Sequence, residues 1–159
     1  MLYVGHASLA APDDPASAAL TLADGPFTAR DWILHRDELP APPQVDLVAC
    51  HTEGGHTPEY LGLAVAALVA GATRVTATRW ALPTDLYTPG ATTELAVHLL
   101  RTHTAEAHRA FLLDRLDSWH TGPSPATSPL VWAAPVQLQL DAPDHGPLTA
   151  HGSHATAGA

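Results

Sequence analysis

The sequence predicts an α/β domain built on a mainly parallel sheet. Short, apolar, β-branched runs recur along the chain at residues 1–6, 45–50 and 74–78, and the segments between and after them carry helix signals. The order of elements reads strand, helix, strand, helix, helix, strand, the alternation that gives a parallel sheet covered by helices. The 159 residues amount to one domain, enough to bury a substantial core.

Each element has its own justification. Met1 to Gly5 is a short apolar run ending at His6. Residues 7–26 are rich in Ala, Pro and Asp and read as a loop, with a short hairpin at Ala19 to Leu22 turning on Asp24-Gly25. Thr28 is an N-cap for a helix from Ala29 to about Arg36, with Asp31 at its positive end. Pro40, Pro42 and Pro43 break the chain, and residues 45–50 form a strand too apolar for anything but a buried position. Thr57-Pro58-Glu59 starts a second helix, with Thr as N-cap and Pro at N1. Leu61, Ala64, Val65 and Leu68 share one face of it, and Gly71 sits where the glycine after a helix belongs.

Arg74 to Thr78 is β-branched and predicts a third strand, ending at Arg79-Trp80. Residues 81–90 are a loop with Pro83, Asp85 and Pro89. Helices follow from about Thr92 to Thr102 and from the N-cap Thr104 to Trp119. Val131 to Leu140 alternates as a final strand, with Pro135 marking it as an edge or bulged one. From Asp141 onward the chain is Pro, Gly, His, Ala and Ser without periodicity, which predicts a domain over 1–140 and a disordered tail over 141–159. There is no internal repeat.

Composition excludes several function classes. The net charge is -9 and Lys is absent; the Arg residues are scattered and form no basic stripe, so nucleic acid is not an expected partner. The longest apolar stretch, Leu61 to Ala72, is shorter than the roughly 20 residues a bilayer span needs, and the N-terminus has no signal-peptide pattern. One cysteine cannot form an intrachain disulfide, which fits a reducing, cytoplasmic setting. The lack of Lys beside abundant Ala, Pro, Thr and His reads as the base-composition bias of a high-GC bacterium. That bias discounts the eleven His as a metal signal. His51 and His56 flank a Gly-containing loop at a spacing that is not a helical ligand pair, so no metal and no cofactor is expected.

The only cysteine, Cys50, ends the run Val45-Asp46-Leu47-Val48-Ala49-Cys50 and is followed by the turn-like His51-Thr52-Glu53-Gly54-Gly55. His6 ends the first run in the same way. In open α/β sheets, loops at the carboxyl ends of parallel strands gather the reacting groups. A thiol nucleophile needs a nearby imidazole to become a thiolate, and the imidazole then protonates the leaving amine. The backbone N–H groups of Ala7 and Cys50 are the candidate oxyanion donors. Taken alone, a buried Cys at a strand end is most often inert packing, and a His there is most often structural.

These residues stand in an order that resembles the CHAT domain family of caspase-like cysteine peptidases. The resemblance runs from about Leu2 to Leu140. It rests on Val4-Gly5-His6-Ala7-Ser8, then Ser17, Leu20-Thr21-Leu22 and Asp24-Gly25. It continues through Leu47-Val48-Ala49-Cys50-His51-Thr52-Glu53-Gly54, Ala70-Gly71-Ala72, Val75-Thr76-Ala77-Thr78 with Trp80, and Leu130-Val131-Trp132-Ala133-Ala134. It implies a caspase-like α/β/α sandwich and a peptidase with His6 as base and Cys50 as nucleophile, acting on a protein in bacterial signalling or defence. It also implies a regulatory protein partner or a homo-oligomer. Three departures go with it: Ala7 replaces the usual Gly, Asp85 lies five residues beyond Trp80, and the family's N-terminal strand and helix are missing, which predicts an exposed sheet edge.

Four residues are candidates for a substrate pocket. Glu53 and Asp85 would recognise a basic side chain, Arg79 an acidic one, and Trp80 would line the wall. Most exposed acids do none of this, and Trp80 serves equally well as a loop anchor. The competing reading is a caspase-like binding or signalling module that is non-catalytic or is completed by a partner. A flavodoxin-like ligand-binding domain is disfavoured, because no Gly-rich phosphate loop follows the first strand.

Overall fold

In a computed structural model, residues 1–8, 11, 14–49, 61–83, 86–102 and 104–140 are described. A four-stranded sheet has the order β1-β5-β6-β7, from β1 (Leu2–Gly5), β5 (Gln44–Ala49), β6 (Arg74–Thr78) and β7 (Pro135–Gln139). The first three strands are parallel, and β7 runs antiparallel to β6. A smaller antiparallel sheet, in the order β2-β3-β4, is made by β2 (Ala7–Ser8), β3 (Ala19–Leu22) and β4 (Gly25–Thr28). The mixed α/β architecture with a mainly parallel sheet is the expected one.

Side chains of a strand alternate between faces, and β5 uses both. Val45, Leu47 and Ala49 join one apolar cluster with Val75 and Ala77 of β6, and it is covered by α1 (Ala29–Leu34) and α2 (Leu61–Val69). Val48 belongs to a second cluster on the opposite face, with Leu82, Ala91, Leu95, Leu99 and Val131. That face is covered by α3 (Ala91–Arg101) and α5 (Pro129–Trp132), with α4 (Ala105–Thr121) packed on α5. The result is three layers, helices on sheet on helices.

Local chemistry explains the boundaries. Thr28 accepts from the Asp31 N–H at 3.0 Å while the Asp31 carboxylate accepts from the Thr28 N–H at 2.9 Å, a reciprocal capping box that starts α1. After α2, Gly71 adopts φ +111°, its N–H donating to Leu68 O and that of Ala72 to Ala67 O. This is the six-to-one and five-to-two pattern of a Schellman cap, and the left-handed conformation it requires suits glycine. Thr104 caps α4 by accepting from Ala107 N–H at 3.1 Å.

At the amino-terminal edge of the sheet, backbone bonds join successive loops. Ala41 N–H donates to Ala70 O at 2.8 Å, Thr73 and Arg74 N–H both donate to Pro43 O, and Leu140 N–H donates to Thr73 O at 3.0 Å.

Three elements differ from expectation. Val131 and Trp132 lie in the short helix α5, not in the last strand: Ser128 accepts from the Leu130 N–H and Pro129 occupies N1, so a helical turn forms first and the strand starts at Pro135. In α2 the buried face is Leu63, Ala64, Ala66, Ala67 and Ala70, whereas Val65 is exposed. The helix is apolar all round, so periodicity could not select a face, and the alanines let it approach the sheet closely. The segment 7–26 contains strand β2 in addition to the β3–β4 hairpin that Asp24-Gly25 closes. The tail over 141–159 and the helix start at Thr57-Pro58 lie outside the described residues.

Candidate active site

The parallel strands β1, β5 and β6 present their carboxyl ends along one edge. Their register pairs Val4 with Val48 and Gly5 with Ala49, and Leu47 in turn with Ala77. His6 therefore leaves β1 beside the point where β5 ends, one residue before Cys50 in the sequence. Hydrogen-bonded neighbouring strands lie about 4.8 Å apart. Cys50 itself, Glu53 and Asp85 lie outside the described residues. His6 is exposed.

The backbone of His6 is held from two directions. Its carbonyl accepts from the Tyr3 hydroxyl at 2.6 Å and from the Thr21 N–H of β3 at 2.9 Å. The Tyr3 hydroxyl also lies 2.9 Å from the Thr21 carbonyl, so this one group joins β1 to the hairpin. Burial pushes the Tyr3 hydroxyl above its ordinary value, while its backbone contacts to Thr21 and His6 pull the other way. Gly5 makes room for it: a Cβ there would stand 2.7 Å from the Tyr3 hydroxyl oxygen.

Ala7 turns its side chain into the core, where it is 2 % exposed. Its backbone needs no glycine, since no described residue other than glycine has positive φ. The Thr21-to-His6 bond makes Ala7 and Leu20 a non-hydrogen-bonded antiparallel pair, which directs the Ala7 N–H away from β3.

Arg79 and Trp80 follow β6 at the same edge. Arg79 is exposed, and its N–H donates to Ala134 O at 2.9 Å. Trp80 is half-buried against the Val48–Leu82 cluster and its indole N–H donates to Leu130 O at 2.7 Å, which ties the end of β6 to α5.

A family model of the CHAT domain matches residues 2–139, nearly the whole chain. The chain belongs to the CHAT domain family. A search of curated proteins found no match. The caspase-like sandwich of this CHAT domain is thus supported by its family and by its layers alike.

Beside β1 the CHAT domain has an apolar cavity of about 440 Å³, lined by Met1, Leu2, Tyr3, Phe27, Trp32 and Pro40 among others. It lies along the amino-terminal half of β1, away from His6, Arg79 and Trp80. Among the described residues no group of three or more His, Cys, Asp or Glu is arranged to hold a metal ion. Among them, too, no helix is long and apolar enough to cross a membrane.

Sequence reasoning missed Tyr3, Gly5 and Thr21 as the groups that fix the His6 backbone. A signal was present for two of them. Tyr3 and Gly5 are two apart on a strand, hence on one face, and a glycine beside a large ring at that spacing marks a close approach.

Proposed function

We propose that this CHAT domain is a cysteine endopeptidase acting on a protein substrate, in bacterial signalling or defence, with Cys50 as nucleophile and His6 as general base. The observation that carries this reading is the parallel pairing of β1 with β5, in a register that ends Gly5 against Ala49. Gly5 immediately precedes His6 and Ala49 immediately precedes Cys50, so the pairing of these two strand ends supports a dyad. In the reaction the imidazole of His6 takes the thiol proton, and the Cys50 sulfur attacks the scissile carbonyl carbon. The oxyanion is met by the N–H groups of Ala7 and Cys50. The imidazolium then returns the proton to the leaving amine, and water, deprotonated by His6, cleaves the thioester. Exposed Arg79 at the end of β6 supports recognition of an acidic P1 side chain. Glu53 and Asp85 are the candidates for a basic one, and Trp80 for a pocket wall.

The test is labelling with peptidyl electrophiles carrying Asp, Leu, Lys or Arg at P1. Labelling is expected at Cys50, absent in Cys50→Ala and slowed on the order of a hundredfold in His6→Ala. Preference for Asp that disappears in Arg79→Ala assigns the pocket. A folded protein that no probe labels overturns the peptidase reading in favour of a binding module.

A further inference from the structure

The layer of helices that faces Val48 contains a pair of histidines that the proposed chemistry does not use. His98 of α3 and His108 of α4 meet with Nε2 of the first 3.2 Å from Nδ1 of the second. The Thr102 hydroxyl lies 3.1 Å from Nδ1 of His98. The His98 ring stacks on Phe111 of α4 at 3.8 Å between centroids and 12° between planes. His108 is 7 % exposed and is the buried residue of α4. The pair is thus a polar join between two helices in sequence-adjacent positions.

We infer that the His98–His108 pair is an acid-sensitive clasp that holds α4 against α3 when the imidazoles are neutral and releases it when both take up a proton. The proton count gives the reason. Two neutral imidazoles share one N–H···N bond when only one of the two facing nitrogens, Nε2 of His98 or Nδ1 of His108, carries the proton. One added proton leaves an imidazolium that still donates to a neutral ring. A second proton places two N–H donors, both cationic, face to face, and the bond is replaced by repulsion.

The surroundings favour the neutral pair. Burial, and for His98 the charge of His108, push the His98 imidazole below its ordinary value near 6.5. Burial does the same to His108, against the opposing pull of Asp46 on β5. On α4, Arg115 sits with its guanidinium 5.6 Å from the centre of the Phe111 ring and pairs with Glu94 of α3 at 2.8 Å and with Asp114 at 2.9 Å. Among the described residues, the charged group acting on the pair is Asp46 from the sheet, while Glu94 of α3 and Asp114 of α4 are engaged by Arg115 on the Phe111 ring that stacks on His98. α5 contributes none. Because both values are lowered in the folded state, the clasp is at full strength above about pH 6.5 and is lost as pH falls through the lowered values. α4 packs on α5, and α5 holds Trp80 through Leu130 O, so release loosens the same layer that anchors the end of β6.

Hydrogen exchange of the full chain, corrected for intrinsic rates and resolved by peptide, tests this between pH 7.5 and 4.5. The expected result is a loss of protection of about tenfold or more in α3 and α4, with α2 and β5 unchanged. The double variant His98→Phe/His108→Phe keeps rings at both places and removes the titration, so its α4 protection should no longer depend on pH. If that variant does not fold, His108→Gln serves: it accepts or donates to His98 without a second cation, and the steep loss should again be absent. Unchanged α4 protection in the wild type, or the same acid loss in whichever variant folds, overturns the proposal.

Discussion

The two faces of the same sheet are built on different terms. Toward α1 and α2, β5 and β6 present Val45, Leu47, Ala49, Val75 and Ala77, and α2 answers with Leu63, Ala64, Ala66 and Ala67. That interface is dry and made of small and branched apolar groups. Toward α3 and α4 the alternate residues of the same strands are Asp46, Val48, Thr76 and Thr78, with Thr92 and His108 buried against them. Here Asp46 Oδ1 and the hydroxyls of Thr76, Thr78 and Thr92 have no protein hydrogen-bond partner among the described residues. The other Asp46 oxygen accepts from Gln44 Nε2 at 2.8 Å, and Gln44 accepts from Arg74. One face holds the fold through dispersion and exclusion of water, which pH does not alter. The other adds to its own apolar cluster a set of buried polar groups whose pairing is conditional.

The largest effect that separates the faces should come from Leu63→Ala. Leu63 is fully buried on the dry side, and a leucine-to-alanine cavity there should cost about 3 kcal/mol in denaturant-derived stability. That cost should not change with pH between 7.5 and 5. Smaller is Thr28→Ala, which removes both hydrogen bonds of the Thr28 hydroxyl to Asp31 at the start of α1 and should cost about 1 kcal/mol. This cap adds a second contrast. Its bonds to Thr28 hold the Asp31 carboxyl below the ordinary value near 3.8, so the contribution is present above that value and is lost as pH falls through the lowered one. The α1 cap should therefore weaken only below the ordinary carboxyl value near 3.8, while the histidine pair responds to acid below the ordinary imidazole value near 6.5. Separate transitions in α1 and α4 amide exchange would show this, and a single shared transition would remove the distinction.

The smallest expected change is Thr76→Val. It exchanges a buried hydroxyl without a described protein partner for a methyl of similar shape. Stability should lie within about 1 kcal/mol of wild type, on the stabilising side. A clear loss would mean that the hydroxyl is satisfied by a group beyond the described protein atoms, and the polar face would then be a hydrogen-bonded network and not a tolerated cost.

Much of this was legible in the sequence, and for local reasons. Thr28 with Asp31, Thr104 and Gly71 each mark a helix end through a bond within a few residues, so they read correctly without tertiary information. The strands at 44–49 and 74–78 are buried on both faces and announce themselves as continuous apolar or β-branched runs. What was not legible depends on partners far along the chain. The two-residue strand β2 exists because Leu20 and Ala19 pair with it. Val131 and Trp132 look like strand residues until Ser128 and Pro129 impose a turn of helix. The joining of His98 with His108 was hidden for another reason: a chain this rich in histidine offers no contrast by which two of them could stand out. At the candidate site, the strand ends were legible, but the grip of Tyr3 on the His6 carbonyl needed the fold of the hairpin over β1.

The backbone bonds that join Ala41 to Ala70 and Pro43 to Thr73 and Arg74 have a consequence for how this chain can change over time. They tie down the loops at one rim of the sheet. An insertion there must break main-chain pairings that no substituted side chain can replace, so that rim is closed to variation in length. The opposite rim carries the strand ends of the candidate site, and is where new loop length can be accommodated and selected. Diversification within such a scaffold is thus steered toward the substrate side by the stitching on the other.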